Sequence, residues 1–334
     1  MLIIPENLAR DLVSVEDAIA AVADAFAAAQ KQRARSYPVV REAVGQADAV
    51  FGVKAGYDGS LPALGLKAGG YWPHNAAAGR GNHQSTTLLF DPDSGQATAL
   101  VGANYLTGVR TGAASALASR HLARPDARVL GLIGTGAQSV HQFRAALAVR
   151  PLARVLAWDP AEANLAAFGR VVTGEGLAFE ALDIAEVARR SDILITITPS
   201  RAALVQREWI RPGTHINAMG ADTAGKQELE PELVAAASLV VDDAEQAIAI
   251  GECQHAYRLG LIDGDRLSET LGAVVTGAFG RRSAEEITLF DGTGVALQDL
   301  AVAALALRRA KERGLGFDCE FAEPARIDGP PRLR

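Results

Sequence analysis

Apolar positions change their rhythm twice along the chain. From Val15 to about Arg33 they recur at helical spacing, with Val15, Ile19, Val22 and Phe26 on one stripe. Ser14 with Asp17 three positions on has the form of a capping box, so an amphipathic helix is predicted here. Between Pro38 and Leu100 the pattern shifts to short β-prone runs, such as Ala49-Val50-Phe51-Gly52-Val53 and Thr86-Thr87-Leu88-Leu89-Phe90, punctuated by Gly, Pro and Asp. With Asp91-Pro92-Asp93-Ser94-Gly95 as a hairpin turn, this region predicts an antiparallel sheet. The alanine- and serine-rich stretch Thr111 to Leu122 then predicts a tightly packed helix.

Beyond Pro125 the rhythm is different. Strands are predicted at Arg128 to Ile133, Arg154 to Trp158, Ala178 to Leu182, Ile193 to Thr198, His215 to Met219 and Leu239 to Val241. They alternate with helical stretches, as a parallel sheet wound with helices requires. A last helix, from about Val295 to Arg313 and ended by Gly314, is expected to pack back on the first region. The tail from Phe321, with Pro324, Pro330 and Pro331, is expected to be disordered. No internal repeat interrupts this α/β order.

The 334 residues exceed what one core usually supports, so two domains are expected. A hydrophobic fraction of 49%, a charged fraction of 22% and a net charge of −6 describe a globular chain with no nucleic-acid or polyanion partner, leaving small metabolites as ligands. The two cysteines, Cys253 and Cys319, have neither metal-ligand nor redox-pair spacing, which fits a reducing cytoplasm. Met1 to Glu6 lacks a basic leader, and no uncharged stretch approaches the roughly 18 residues of a membrane span. A soluble, cytoplasmic protein without a membrane partner is expected. The histidines His74, His121, His141, His215 and His255 are scattered, so no metal site is expected.

Candidate chemistry begins at Val129-Leu130-Gly131-Leu132-Ile133-Gly134-Thr135-Gly136-Ala137-Gln138-Ser139, an apolar strand, a glycine turn and a helix start. Gly134 permits the tight turn and Gly136 a close approach of a pyrophosphate, whose charge the free N–H groups at the helix start receive. Ser139 stands where the fingerprint has its third glycine or alanine. Alone, Gly-x-Gly is equally an ordinary turn. The next strand ends in Asp159, about 20 residues on, where an acid holds an adenosine ribose. That carboxylate repels a 2′-phosphate, so NAD is expected over NADP. The plainer reading of Asp159 is a helix cap before Pro160. Thr198, with Pro199 and Ser200, ends a later strand at the same carboxyl edge, and Met219 and Gly220 end another; both are expected at the cofactor.

Five stretches are similar to the ornithine cyclodeaminase and mu-crystallin family, over most of the chain: Leu64 to Gly69, His83 to Phe90, Leu106 to Ala116, Gly134 to Gln138 and Asn217 to Leu229. The resemblance implies a Rossmann-type NAD-binding domain inserted between two parts of an α+β substrate-binding and dimerisation domain. The divisions fall at 1–120, 121–294 and 295–320, with 321–334 as the tail. It further implies a homodimer and amino or imino acid chemistry in the cleft. By that resemblance Lys67 holds a substrate carboxylate, Arg110 sits between substrate and cofactor, Asp222 exchanges a proton, and Arg41 is a second carboxylate contact. Ser85, Thr86 and Thr293 match positions that contact the cofactor. Such chemistry is coherent, because reducing C=N needs a hydride, cations that orient a carboxylate and a group that manages the proton on nitrogen. Without the family match, Lys67 and Arg110 read as surface ion-pair partners, Asp222 as a turn former and His83 as a structural histidine; with it, His83 is a candidate substrate contact.

The family's cyclodeaminases carry a glutamate on the strand before the substrate lysine, whereas this chain has Lys54 near that place. A cation opposes a diamine and suits a second carboxylate, so Lys54, Lys67, Arg41 and Arg110 together imply a dicarboxylic substrate. The runs Leu66 to Pro73, Asn82 to Thr86 and Phe290 to Gly294 most resemble the branch containing iminosuccinate reductase, which implies NADH-dependent reduction of iminosuccinate to aspartate. A cyclodeaminase, a cyclic ketimine reductase and a crystallin-like binding protein stay open as alternatives.

Overall fold

The computed structural model describes residues 1–321. Its first sheet uses β1 (Leu2–Ile4), β2 (Ala34–Ser36), β3 (Val40–Ala43), β4 (Val50–Asp58), β5 (Ala63–Tyr71), β6 (His83–Phe90) and β7 (Ala97–Gly102), with the short strand Phe317–Asp318 at its edge. From that edge the order is Phe317–Asp318, β1, β7, β6, β5, β4, β2, and β3 also pairs with β4. The expected antiparallel pairing holds from β4 through β7, while β1 joins β7 in parallel. Helix Val15–Gln30 carries the expected capping box: Ser14 accepts from the Asp17 amide and Asp17 from the Ser14 amide.

The second sheet is wholly parallel. Its strands are β8 (Val129–Ile133), β9 (Arg154–Trp158), β10 (Ala178–Ala181), β11 (Ile193–Thr196), β13 (His215–Ala218), β15 (Ser238–Val241) and β16 (Thr288–Asp291), with β12 (Arg201–Val205) and β14 (Gln227–Leu229) forming a separate pair. The order β10-β9-β8-β11-β13-β16-β15 reverses direction between β8 and β11, and that switch point is where a doubly wound sheet opens a crevice for a ligand. Strand β16 was not expected. Its four residues are all buried, so they carry no polar–apolar alternation by which a short strand is recognised.

Helix Asn104–Leu122 begins well before the expected Thr111. Gly108 and Gly112 lower local helix propensity, but they are needed where this helix meets helix Ser139–Val149: a Cβ on Gly108 would lie 2.4 Å from His141 Nε2, and one on Gly112 2.5 Å from the His141 carbonyl. The start at Asn104 is capped from a distance, since Glu6 accepts from the amides of both Asn104 and Tyr105. The helix is buried from Leu106 to Ser119, and Asn217 of β13 donates to Ser119 Oγ at 2.9 Å, tying the second sheet to this helix. Helix Ala296–Arg313 ends at Gly314 in left-handed conformation and lies on β4 and β5. The expectation of a disordered tail concerns, from residue 322 on, positions outside the described residues. Among the described residues, no helix is long and apolar enough to cross a membrane.

Candidate functional site

Strand register gathers the basic residues. Lys54 lies directly opposite Lys67, which lies opposite Thr87; one pleat further, Arg41, Gly52, Gly69 and Ser85 form the next row. Alternate residues share a sheet face, so Arg41, Lys54, Lys67, His83 and Ser85 project on one side. Gly52 and Gly69 leave the floor between Arg41 and Ser85 without side chains. Thr86 pairs with Ala68 and points to the reverse face, where it is exposed. Its side chain therefore does not share the pocket with Lys67 and Ser85, because adjacent strand residues face opposite ways.

Each cation has a defined partner. Lys67 Nζ donates to Asp299 Oδ1 at 2.9 Å and to Thr107 Oγ1 at 3.4 Å. Arg110 Nε donates to the same Asp299 oxygen at 3.0 Å, and its Nη1 to Gln298 Oε1 at 2.7 Å. Lys54 Nζ donates to the carbonyls of Thr293 and Gly294 at 3.0 and 2.6 Å, so it is anchored on the loop after β16. Arg41 reaches across from the first sheet to Asp222 Oδ2 at 3.2 Å, while Lys226 holds Asp222 Oδ1 at 2.6 Å. The Asp222 side chain remains 31% exposed, open to a ligand in the cleft.

These contacts set the charges. Burial lowers Lys67 to about 7, opposed by Asp299 and reinforced by Arg110 and Lys54. Burial likewise lowers Lys54 to about 8. For Asp222, burial would raise the carboxyl, but Lys226, Arg41 and Lys54 outweigh it and hold it well below its usual range. Asp299 is balanced in the same way: burial raises it, while Arg110, Lys67 and Lys54 bring it below its usual value. Burial, then the charges of Lys67 and Arg110, push His83 down to about 4, so it is a neutral ring at physiological pH.

The glycine turn after β8 has room for a dinucleotide. Gly134 adopts φ +97°, and a Cβ there would lie 2.7 Å from the Ile197 carbonyl and 2.8 Å from Thr198 Cγ2. At Gly136 an added Cβ would meet nothing within 4 Å, and Gly136 and Ala137 are exposed. The following helix has Gln138 at its N-cap with no side-chain cap, and buried Thr135 Oγ1 and Gln138 Oε1 lack partners. An uncapped helix start with orphaned polar atoms fits a bound pyrophosphate. Asp159 accepts from the amides of Thr135 and Ala161 at 2.7 and 2.9 Å, so it braces the glycine turn; it is not a helix cap, because helix Glu162–Gly174 has Ala161 at its N-cap and no side-chain cap.

Opposite this turn, Thr198 donates its amide to Glu228 Oε1 at 2.6 Å, and Gly220 donates to Glu228 Oε2 at 2.9 Å. Met219 is buried against Gly292, and Thr293 is buried with its hydroxyl donating to Asp242 at 2.8 Å. Among the described residues, no group of three or more His, Cys, Asp or Glu side chains could hold a metal ion.

Four participants escaped the sequence reading. Asp299 and Gln298 hold Lys67 and Arg110, Lys226 holds Asp222, and Glu228 ties together the ends of β11 and β13. For Gln298 and Asp299 a signal was present, since the pair interrupts an otherwise apolar run; the burial that marks Glu228 shows only in the structure.

The model of the ornithine cyclodeaminase/mu-crystallin family matches residues 6–314. The chain is similar to the iminosuccinate reductase of Paracoccus denitrificans (strain Pd 1222), being 46% identical over 321 residues, 96% of this chain and 100% of that protein. The crystal structure of that reductase in complex with NAD+ matches with a TM-score of 0.89, covering 96% of this chain and 99% of the other. An archaeal alanine dehydrogenase dimer with bound NAD matches with a TM-score of 0.92 at 35% identity, covering 96% and 99%. The Delta(1)-pyrroline-2-carboxylate reductase of Thermococcus litoralis, in complex with NADH and L-proline, matches with a TM-score of 0.92 at 31% identity, covering 96% and 100%.

Proposed function

This chain belongs to the ornithine cyclodeaminase/mu-crystallin family, and we propose that it is an NADH-dependent imine reductase that converts iminosuccinate to L-aspartate. The observation that carries the substrate is charge. Arg41, Lys54, Lys67, Arg110 and Lys226 converge on the cleft, where Asp222 pairs with Arg41 and Lys226, Asp299 pairs with Lys67 and Arg110, and Lys54 is held by backbone carbonyls. An excess of cations in a dry pocket favours a ligand with two carboxylates and opposes a diamine. The relative that supports this reading is the Paracoccus denitrificans reductase.

NADH bound along the glycine turn supplies the hydride. Gly134, Gly136, Ala137 and Gln138 would cradle its pyrophosphate, and Asp159 would hold its adenosine ribose. Thr198, Met219, Gly220 and Thr293 would line the nicotinamide end. Lys67 and Arg110 would bind the substrate's α-carboxylate, and Arg41 with Lys54 its distal one, with His83 as a neutral neighbour. Because Asp222 is ionised, it would receive the N–H of a protonated imine and steady that cation; hydride addition then gives the amine without a further acid. Overall, iminosuccinate, NADH and one proton give aspartate and NAD+.

The reading divides the chain into a substrate-binding unit at 1–120 and 295–320 and a nucleotide unit at 121–294. The packing of helix Ala296–Arg313 on β4 and β5 supports it. A cytoplasmic homodimer joined through the first sheet is part of the proposal. It is supported by exposed Val40 and Phe51 on the reverse face of that sheet.

The test is a spectrophotometric assay of purified protein. NADH should be consumed with oxaloacetate plus ammonia, which condense to iminosuccinate, and at least tenfold more slowly with pyruvate plus ammonia. Turnover with pyruvate and ammonia alone would remove the dicarboxylate. A cyclodeaminase would instead release ammonia from ornithine with no net change in NADH.

A further inference from the structure

We propose that Asp299 is a positioning residue for this site: its single oxygen Oδ1 receives both Lys67 and Arg110, fixing the spacing of the two cations and keeping Lys67 charged towards the cleft. The inference rests on the imine reductase reading above and assigns a role to the helix that reaches the site from the far end of the chain.

The geometry starts with two glycines. Gly56 and Gly65 pair across β4 and β5, two residues along from the Lys54–Lys67 pair and therefore on the same face. A Cβ on Gly56 would lie 3.3 Å from Ala296 Cβ, and one on Gly65 would lie 3.0 Å from Leu300 Cδ2. The bare patch lets helix Ala296–Arg313 settle on the sheet through Ala296 and Leu300. Asp299, one residue before Leu300, then stands over the lysine pair, where it is 2% exposed. A carboxylate this dry is costly unless paired. Lys67 at 2.9 Å and Arg110 at 3.0 Å supply the pairing, and both converge on Oδ1 while Oδ2 has no hydrogen-bond partner. Gln298 takes a second arm of Arg110, so adjacent helix residues fix the guanidinium in two directions.

Lys67 faces charged or titratable groups from every side: Arg41 on β3, Lys54 on β4, His83 on β6, Arg110 on helix Asn104–Leu122 and Asp299 on the last helix, with Asp222 across the cleft. Burial, Arg110 and Lys54 drive Lys67 towards the neutral amine, and Asp299 opposes them. Removing the Asp299 charge must therefore lower Lys67 further. A lysine is cationic below its pKa, so carboxylate binding is lost as pH rises through that value, and the loss comes at lower pH without Asp299.

The experiment compares the full-length enzyme with Asp299→Asn and Asp299→Glu, measuring kcat/KM against pH, which reports groups of the free enzyme. Asn keeps the size and removes the charge. Its alkaline limb should move down by about one unit, a tenfold loss of kcat/KM above both limbs. Glu keeps the charge but displaces it, so the limb should stay near that of the parent while kcat/KM falls over the whole range. A parent-like limb in a folded Asp299→Asn enzyme overturns the proposal. If Asn does not fold, parent-like kcat/KM in Asp299→Glu overturns it. The rate at which a small acylating reagent modifies Lys67 in ligand-free enzyme, followed against pH by peptide mass spectrometry, gives a second readout. Lys67 should become reactive at lower pH in Asp299→Asn. An unchanged rate profile contradicts the role of Asp299 even if the enzyme's substrate proves to be a different one.

Discussion

Lys67 illustrates how a single side chain acquires a function from its surroundings. Burial alone would leave it largely neutral, and Asp299 keeps enough of the charge for a carboxylate to be recognised near neutral pH. Asp222 has the opposite balance, since Lys226 and Arg41 keep it anionic in a site that otherwise attracts anions. In the proposed function the two groups present a cation and an anion to opposite ends of one imino acid. Asp159, proposed to hold the adenosine ribose, has its carboxylate already fixed by the Thr135 and Ala161 amides. A fixed negative charge there disfavours a 2′-phosphate. Asp159→Ser should raise kcat/KM with NADPH relative to NADH by roughly tenfold, the equivalent of about 1.4 kcal/mol. Steady-state kinetics with both cofactors checks this, and an unaltered ratio would remove Asp159 from cofactor choice.

Element by element, glycine decides where backbones approach. Gly108 and Gly112 let two helices touch, and Gly56 with Gly65 lets the last helix touch the sheet. Gly136 differs from these, because nothing occupies the space a Cβ would take and its φ is not left-handed. Gly136→Ala should therefore change the denaturation midpoint little and weaken NADH binding at least tenfold, as measured by fluorescence titration. Lost stability with unchanged NADH affinity would mean that the turn serves packing alone. Several elements were legible from sequence because their signals are local: the capping box at Ser14, the five-residue apolar strand before Gly134 and the glycine stop at Gly314. Strand β16 and the first turns of helix Asn104–Leu122 were not. A fully buried four-residue strand has no period, and a helix start capped by Glu6 draws its stabilising contact from almost a hundred residues away.

On the scale of the whole molecule, the site exists only where distant parts of the chain meet. Lys67 and Asp299 are 232 positions apart, and Lys54 anchors on Gly294, 240 positions away. Lys67, Arg110 and Asp222 could be singled out in sequence only because the runs that hold them resemble a known family; on their own they read as surface ion-pair partners and a turn former. That Lys67 and Arg110 both pair with Asp299 could not be read, since pairing across such separations is a property of the fold. Arg41 and Asp222 join the first sheet to the second across the cleft, so a ligand seated between them must compete with or share that ion pair. The central claim is spatial, and a crystal structure of the enzyme with NAD+ and L-aspartate tests it most directly. The account predicts the α-carboxylate on Lys67 and Arg110, the amine within hydrogen-bond distance of Asp222, and the α-carbon facing C4 of the nicotinamide. An aspartate whose carboxylates avoid the cationic row, or a nicotinamide ring turned away from Lys67, would contradict it.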